Sequence, residues 1–256
     1  MHAAPTPAPA PAPTTISANK GSASASSRAS NIGSGGSYST TFGSAENPLS
    51  EGGKWVDGKA IGLKWNNPKT VGGQAVAAVL SGLGASRYDD SIGHLSKSFI
   101  DFGDNQFSRG TVYRAQGYTP PSGSAHEIEL LTRFEITANS ARGYETMWGM
   151  SPGSSSTGAY LAMVRWNGPL GDYTTIYDST AGGGVLMPAP VNGDVLEVQI
   201  IGTVLKAYLN GVEKTPNGGV STLGTWSEGQ PGIGFWPVDS ATPGNYGWSD
   251  WTCGSL

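Results

Sequence analysis

The chain has 256 residues, including 39 glycines and 17 prolines, and only 13% of its residues are charged. An average domain is about 25% charged, so this composition argues against long, charge-rich helices and favours an all-β fold. The net charge of −4 offers no basic surface to phosphate backbones or anionic lipids, which argues against nucleic acid as a partner. No run of 18 apolar residues occurs, so we also predict no membrane insertion.

Metal and cofactor binding are not indicated by the sequence. The single cysteine, Cys253, excludes an intrachain disulfide and a zinc site built from thiolates of one chain. Residues 88–91 and 101–105 are oxygen-rich segments of a kind that can hold Ca²⁺, but they lack the spaced acids of an EF-hand loop. We therefore predict no cofactor.

The first 39 residues have the composition of a tether. Pro alternates with Ala or Thr from Pro5 to Pro13, which favours extended polyproline II, and a Ser, Gly and Ala tract follows from Gly21 to Ser39. We predict a disordered linker over residues 1–39 and one folded domain over residues 40–256. The start lacks the apolar region of a secretory signal, so we expect a removed signal, a secreted or cell-surface location, and attachment to another module.

Beyond the linker, candidate strands recur between turn signals. In chain order they are Lys54 to Val56, Leu63 to Trp65, Ala75 to Val79, Ser98 to Phe102, Phe107 to Arg114, His126 to Thr137, Gly143 to Trp148, Tyr160 to Trp166, Thr174 to Tyr177, Val195 to Ile201, Val204 to Leu209 and Gly232 to Trp236. The pair Asn210-Gly211 predicts a tight turn, because both residues tolerate positive φ. Residues 195–214 are therefore a predicted three-stranded meander.

The segment HEIELLTRFEIT, residues 126–137, separates into two faces when drawn as a strand. The apolar face carries Ile128, Leu130, Phe134 and Ile136. The opposite face carries Glu127, Glu129, Arg133 and Glu135. Three carboxylates and a guanidinium suit a sugar-binding cleft, where two acids can serve as proton donor and base, although a solvated outer face would have the same pattern.

Aromatic residues on the next two segments extend this hypothesis. In GYETMW, Tyr144 and Trp148 share a face with Arg142, and we predict that the two rings form a platform on which sugars stack. In YLAMVRW, we assign Tyr160 and Trp166 to the core instead.

The succession FGDNQFSRGTVYR, HEIELLTRF, GYETMW, YLAMVRWNG, GDVLEVQIIGTVLKAYLNGVE and GQPGIGFW resembles the concanavalin A-like lectin and glucanase superfamily, including LamG-like domains of bacterial extracellular proteins. The resemblance covers most of residues 40–256. It implies an all-β jelly roll of two antiparallel sheets, packed as a sandwich, with a concave sheet that binds saccharides. It does not decide whether the bound sugar is cleaved.

Laminarinase-like retaining hydrolases of this superfamily carry a strand motif of Glu, apolar, Asp, apolar, one further residue, and Glu. The matching residues here are Glu127, Ile128, Glu129, Leu130, Leu131 and Thr132. The first two acids keep their spacing, but the second is Glu and the last acid is missing. Acids two apart on a strand have Cα atoms about 6.5–7 Å apart, which permits the carboxyl separation of about 5–5.5 Å in a retaining pair. Glu127 and Glu129 are therefore the candidate catalytic pair.

The sequence thus predicts carbohydrate recognition, with Arg133, Glu135, Arg142, Tyr144 and Trp148 as ligand-binding residues around that pair. A glycoside hydrolase is the first alternative. A polysaccharide lyase ranks lower, because three Glu side chains would repel a polyuronate. The second alternative is a structural or adhesion domain that binds protein.

Overall fold

The computed structural model describes residues 36–58, 65–78, 90–120, 126–138, 140–151, 159–169, 171–181, 187–236 and 244–256. Its strands are β1 Ser37–Thr40, β2 Trp55–Asp57, β3 Pro68–Val71, β4 Gln74–Ala77, β5 Ser91–Leu95, β6 Gln106–Arg114, β7 Glu127–Thr137, β8 Ser140–Gly149, β9 Leu161–Pro169, β10 Tyr173–Asp178, β11 Val195–Ile201, β12 Val204–Leu209, β13 Val212–Glu213, β14 Val220–Ser221, β15 Gln230–Trp236 and β16 Tyr246–Ser255. Among these residues, no helix is long and apolar enough to cross a membrane.

The strands form two antiparallel sheets. The first sheet has the order β13-β12-β11-β6-β16-β4-β3, with β1 also paired to β16 and β14 to β12. The second sheet has the order β10-β9-β8-β7-β15-β5-β2. Neighbours such as β15 and β7 are far apart in the chain, as expected when strands cross between the layers of a sandwich.

The main core lies between the two sheets. Ile128 and Leu130 of β7 belong to the same buried cluster as Leu196, Val198 and Ile200 of β11. Side chains alternate across a strand, so one face of β11 enters this core while Glu197 and Gln199 point outward. Each fully buried aliphatic side chain of this kind contributes about 1.5–3 kcal/mol relative to an exposed one.

A second apolar group, here called the outer cluster, covers part of the outer face of the second sheet. Its members are Trp65, Ile92, Leu131, Phe134, Ile136, Ala141, Val164 and Trp166. Trp65 closes it from outside the sheet, with its ring edge-on to Trp166 at a centroid distance of 4.9 Å. The outer face is therefore apolar at one end, which leaves only its other end for a polar site.

A β-bulge in β7 explains why the apolar residues of this strand divide between the two clusters. Glu135 pairs with Arg142 and Thr132 pairs with Tyr144, so Arg133 and Phe134 together oppose Gly143 alone. Arg133 has a φ of 47°, and Gly143 leaves room for its carbonyl oxygen, which a Cβ would contact. The extra residue reverses the alternation, and Phe134 and Ile136 therefore face away from the core that contains Ile128 and Leu130.

Most predicted strands are present, and the meander of β11, β12 and β13 is confirmed, with Asn210 at a φ of 52° in its turn. The predicted strand over Ser98–Phe102 is wrong: those residues form a turn and a loop, and the strand lies at Ser91–Leu95. Residues 63 and 64 of another predicted strand lie outside the described residues, and Trp65 is not in a strand.

Two further strands correct the sequence-based boundaries. β1 pairs with β16 from Ser37 to Thr40, so three residues assigned to the linker belong to the first sheet. β16, which we did not predict, is an interior strand of that sheet, and its Trp248 and Trp251 are buried in the core. Its short run of Gly, Ser and Asp residues hides the alternation that the prediction relied on.

Candidate functional site

A cleft of about 410 Å³ opens on the outer face of the second sheet, beside the outer cluster. Strands β7, β8, β9, β10 and β15 provide most of its walls. The lining residues are Asp90, Glu127, Glu145, Met147, Tyr160, Ala162, Val164, Trp166, Tyr173, Thr175, Asp178 and Trp236. The cleft thus combines carboxyl groups with aromatic rings, which is the mixture found in sites for polar ligands with apolar faces.

Glu127, one of the two acids of the predicted catalytic pair, stands at the start of β7 and lines the cleft. It is almost completely buried, and its Oε1 accepts a hydrogen bond from the hydroxyl of Tyr160. Burial raises the pKa of Glu127 well above the usual range of a glutamate, and the nearby carboxyls of Glu145 and Asp90 raise it further. This carboxyl group therefore holds a proton more strongly than an exposed glutamate does.

Glu129 lies two residues further along β7 on the same face, beneath the cleft surface. Its exposure is 0%, and neither carboxyl oxygen has a hydrogen-bond partner among the described residues. Gly234 of β15 pairs with it and leaves space for its carboxyl group, because a Cβ at that position would overlap Oε2. Burial, and then the charges of Glu145, Asp90 and Glu127, raise its pKa well above the usual range.

Glu145 is the third glutamate of the site, and it comes from the neighbouring strand β8. It pairs in register with Leu131, four residues beyond Glu127, so it fills the end of the acidic row where β7 has a leucine. Its Oε2 accepts a hydrogen bond of 2.5 Å from the indole N–H of Trp166. Burial raises the pKa of Glu145 to about 7, while that hydrogen bond partly offsets the rise.

We call Asp90, Glu127, Glu129 and Glu145 the acid cluster. Like charges at short range cannot all be ionised without a large electrostatic cost, so the cluster retains protons near neutral pH. Glu127 and Glu145 differ in their partners, one a phenol and the other an indole. That difference separates the two acids chemically, which is what acid–base chemistry at one site requires.

Aromatic rings form a second part of the cleft lining. Trp166 belongs both to the outer cluster and to the cleft wall, and Tyr173 packs against it at a centroid distance of 5.4 Å. Tyr173 is 50% exposed, so one side of its ring is open to a ligand. Tyr160 and Trp236 also line the cleft. The aromatic positions assigned to the core by sequence are thus the ones that face the site.

The predicted platform residues lie elsewhere. Tyr144 and Trp148 are fully buried in the core between the sheets, and the prediction that their rings face the cleft is wrong. The bulge is the reason: without it, continued pairing from Glu135 and Arg142 would place Trp148 opposite Glu129, whereas Met147 occupies that position. A one-residue slip moves every side chain of a strand to the other face.

Arg133 does not share a face with Glu127 and Glu129, contrary to prediction. Its guanidinium donates hydrogen bonds to three backbone carbonyls, those of Asp104 at 2.6 Å, Trp226 at 3.0 Å and Gly202 at 2.8 Å. Its side chain thus ties β7 to loops outside the cleft.

Glu135 and Arg142 form an ion pair at 2.5 Å beyond the bulge, near the β7–β8 turn. The Arg142 guanidinium also lies over the ring of Trp226, 5.2 Å from its centroid. Neither residue lines the cleft. The structure therefore does not bring the predicted ligand-binding residues together with the candidate pair.

In the described part of the chain, no group of three or more His, Cys, Asp and Glu residues is arranged to hold a metal ion. The loop with Asp101 is satisfied by protein donors: Oδ1 accepts hydrogen bonds from the backbone of Gly103 and the amide of Gln230. Of the other oxygen-rich segment, residues 88 and 89 lie outside the described residues.

No protein-family model matches the chain, and no curated protein sequence is significantly similar to it. Solved structures do match. A β-glucanase from Bacillus licheniformis aligns with a TM-score of 0.51 at 10% identity, covering 88% of this chain and 100% of the other. A β-1,3-1,4-glucanase (lichenase) from a mouse hindgut metagenome aligns with a TM-score of 0.51 at 9% identity, covering 86% and 99%. The carbohydrate binding module CBM66 from Bacillus subtilis aligns with a TM-score of 0.47 at 13% identity, covering 81% and 96%.

Identities this low carry information about architecture alone. The alignments with the two glucanases span nearly the whole of each partner, and they agree with the two stacked antiparallel sheets described above. The chain has the concanavalin A-like lectin and glucanase fold, as its sequence resemblance predicted.

Proposed function

We propose that this domain recognises a carbohydrate in the cleft on the outer face of the second sheet. The observation that carries the proposal is the meeting of acids and aromatic rings in one cleft, with Glu127 and Glu145 beside Trp166 and Tyr173. Carboxyl oxygens accept hydrogen bonds from sugar hydroxyls, while aromatic rings pack against the apolar C–H faces of pyranoses. A secreted or cell-surface location belongs to the same proposal.

Retention on insoluble polysaccharides of plant, algal and bacterial origin tests this function. Tyr173→Ala removes an exposed ring of the cleft and is expected to weaken retention by about tenfold or more. A ligand ring that stacks on an aromatic side chain gains about 1–3 kcal/mol of binding free energy. Tyr208→Ala on β12 of the other sheet is the matched control, because it removes the same side chain far from the cleft. Equal loss in both variants, or no retention of the wild type, would contradict the proposal.

A second candidate is a glycoside hydrolase that uses Glu127 and Glu145. This candidate is favoured by their shared cleft and their different hydrogen-bond partners. The pKa of Glu127 is raised further by the charge of Glu145, so Glu127 is suited to donate a proton to the leaving oxygen. Glu145, with a pKa of about 7 and a hydrogen bond from an indole N–H, is suited to be the ionised partner, which acts as nucleophile or base.

Oligosaccharide release, read by mass spectrometry, separates the two candidates. A hydrolase would release products that disappear in both Glu127→Gln and Glu145→Gln and persist in Glu135→Gln, whose side chain lies outside the cleft. Retention without product would identify a binding module. Neither retention nor product across the panel would point to a structural or adhesion domain that binds protein.

A further inference from the structure

We infer that the cleft selects saccharides bearing primary ammonium groups, of the glucosamine type, over neutral saccharides with the same backbone. The inference rests on the proposed carbohydrate binding and names the ligand class of that site. It follows from the charges in the cleft, the unmet hydrogen-bonding capacity of one buried acid, and the placement of the aromatic rings.

The cleft is strongly one-sided in charge. Four carboxyl groups line it, those of Asp90, Glu127, Glu145 and Asp178. Its described lining contains no lysine, arginine or histidine. The arginines on neighbouring strands are engaged elsewhere. Arg142 pairs with Glu135 at 2.5 Å, and Arg165 donates to Asn167 at 2.9 Å and Thr225 at 2.6 Å. Arg133 is held by three backbone carbonyls. None of these three arginines therefore neutralises Glu127, Glu129 or Glu145.

Glu129 provides an independent observation, because its carboxyl group lacks hydrogen-bond partners in the described structure. Its carboxyl group is fully buried on the cleft side of β7, and both oxygens lack partners among the described residues. Buried polar groups are nearly always hydrogen-bonded, and an unsatisfied one costs about 1–3 kcal/mol. An arrangement that costs stability and contributes no internal contact is typical of a ligand site.

An ammonium group is suited to this arrangement because it has three donors and a positive charge. It can bond to Glu127 or Glu145 at the cleft surface, and its positive charge favours ionisation of Glu129 beneath them. Repulsion among these carboxyls contributes to their raised pKa values, and a bound cation relieves it. A neutral sugar hydroxyl offers one donor and leaves the repulsion in place, and a uronate adds to it.

The rings beside the acids favour the same ligand. Trp166 on β9 donates a hydrogen bond to Glu145, Tyr173 on β10 packs against Trp166, and Trp236 borders the cleft at the end of β15. A cation over an aromatic face gains about 0.5–2 kcal/mol depending on its desolvation. A pyranose that carries an ammonium group can therefore use the acids and the rings together.

Calorimetric titration with three tetrasaccharides of identical β-1,4 backbone tests the inference at neutral pH and physiological ionic strength. They are the glucosamine tetramer, the N-acetylglucosamine tetramer and cellotetraose. We expect the glucosamine tetramer to bind about tenfold or more tighter than the other two, as one charge-assisted hydrogen bond would provide.

The glutamine variants Glu127→Gln and Glu145→Gln are expected to reduce that preference to about threefold or less, because glutamine keeps the shape of glutamate but cannot ionise when the ammonium group binds. Glu228→Gln, at a 69% exposed side chain that does not line the cleft, is the matched control and should keep the preference. A melting temperature no lower than that of the wild type, together with residual cellotetraose binding, would show that the variants are folded.

Equal affinity for the three tetrasaccharides would overturn the inference and leave carbohydrate binding intact. A preference that survives in both cleft variants would also overturn it, because attraction to the acidic chain as a whole would then explain the preference. If none of the three bound, the inference would fail, and the polysaccharide panel would decide by itself whether the cleft binds carbohydrate.

Discussion

Glu129 and Arg133 are two buried ionisable residues four positions apart on β7, and they differ in their hydrogen-bond partners. Arg133 donates to three backbone carbonyls, and its own backbone N–H donates to Gln106 Oε1 at 2.9 Å. Glu129 has no hydrogen-bond partner in the described structure, and its neighbours include carboxyls of the same charge. One strand thus carries a satisfied charge and an unsatisfied one.

This difference distinguishes a buried charge that stabilises the fold from one that we assign to ligand binding. A fully bonded guanidinium joins β7 to the loops around Asp104, Gly202 and Trp226, and its bonds are complete without any ligand. An unpartnered buried carboxyl lowers the stability of the protein. Its presence is explained if a ligand supplies the missing interactions. This contrast leads to four predictions about stability.

The largest effect is expected from Arg133→Met. The change keeps much of the aliphatic stem but removes three charge-assisted hydrogen bonds to backbone carbonyls, so we expect a loss of about 3–5 kcal/mol in the free energy of unfolding. Urea denaturation followed by fluorescence measures it. A loss below about 1 kcal/mol would mean that water replaces the guanidinium and that the satisfied charge is not structural.

The pH dependence of stability is the next largest effect. The folded-state pKa of Glu145 is raised to about 7 from 4.5, so its contribution is fully present below about pH 4.5 and is lost as pH rises through 7. That loss amounts to about 3 kcal/mol, and Glu127 and Glu129 act in the same direction.

His94 acts in the opposite sense. Its burial lowers its pKa to about 4 from 6.5, so its contribution is present above pH 6.5 and is lost as pH falls through 4. Three acids outweigh one histidine, and we expect stability to decrease from about pH 5 to pH 7.5. Denaturation across this range measures the slope, which Glu145→Gln should make shallower. Stability that rises with pH in the wild type would contradict a protonated acid cluster.

Glu129→Met is expected to stabilise the protein by about 1–3 kcal/mol near neutral pH, because it replaces an unsatisfied buried acid with an apolar side chain of similar length. Its sign is opposite to that of Arg133→Met, and the same denaturation experiment compares the two. If both variants lost stability, Glu129 would also be structural. Sugar affinity, measured in parallel, should fall in the stabilised variant.

The smallest effect is expected from Glu135→Gln. The Glu135 and Arg142 side chains are 38% and 42% exposed, and an ion pair in such a setting contributes at most about 1 kcal/mol. A change within about 0.5 kcal/mol, with unaltered sugar binding, would confirm that this pair lies outside both the core and the site. A larger loss would show that the bulged hairpin depends on it.

Several features followed from sequence alone for clear physical reasons. Alternating apolar residues in β11 and the Asn210-Gly211 turn identified the meander, because period-two burial and positive φ are local properties of the chain. The same alternation placed Glu127 and Glu129 on the face that carries the cleft. Low charge and abundant glycine indicated the all-β class.

The rest of the site depended on pairing between strands. Arg133 adopts a positive φ, and the resulting bulge shifts the register of β8 against β7 by one residue. That shift sends Tyr144 and Trp148 into the core and brings Glu145 to the cleft. Gly143 of β8 accommodates the bulge, but the extra residue lies on β7, and a glycine within a strand does not by itself indicate a one-residue shift.

The sequence by itself determined the fold class, most of the strands and the two acids of β7, because these depend on composition and local periodicity. Only the tertiary structure decided which aromatic rings line the cleft, which strand supplies the third acid, and which buried charge is satisfied. Those features depend on contacts between residues far apart in the chain, such as Glu127 with Tyr160 and Arg133 with Trp226. A single extra residue in one strand was enough to reverse them.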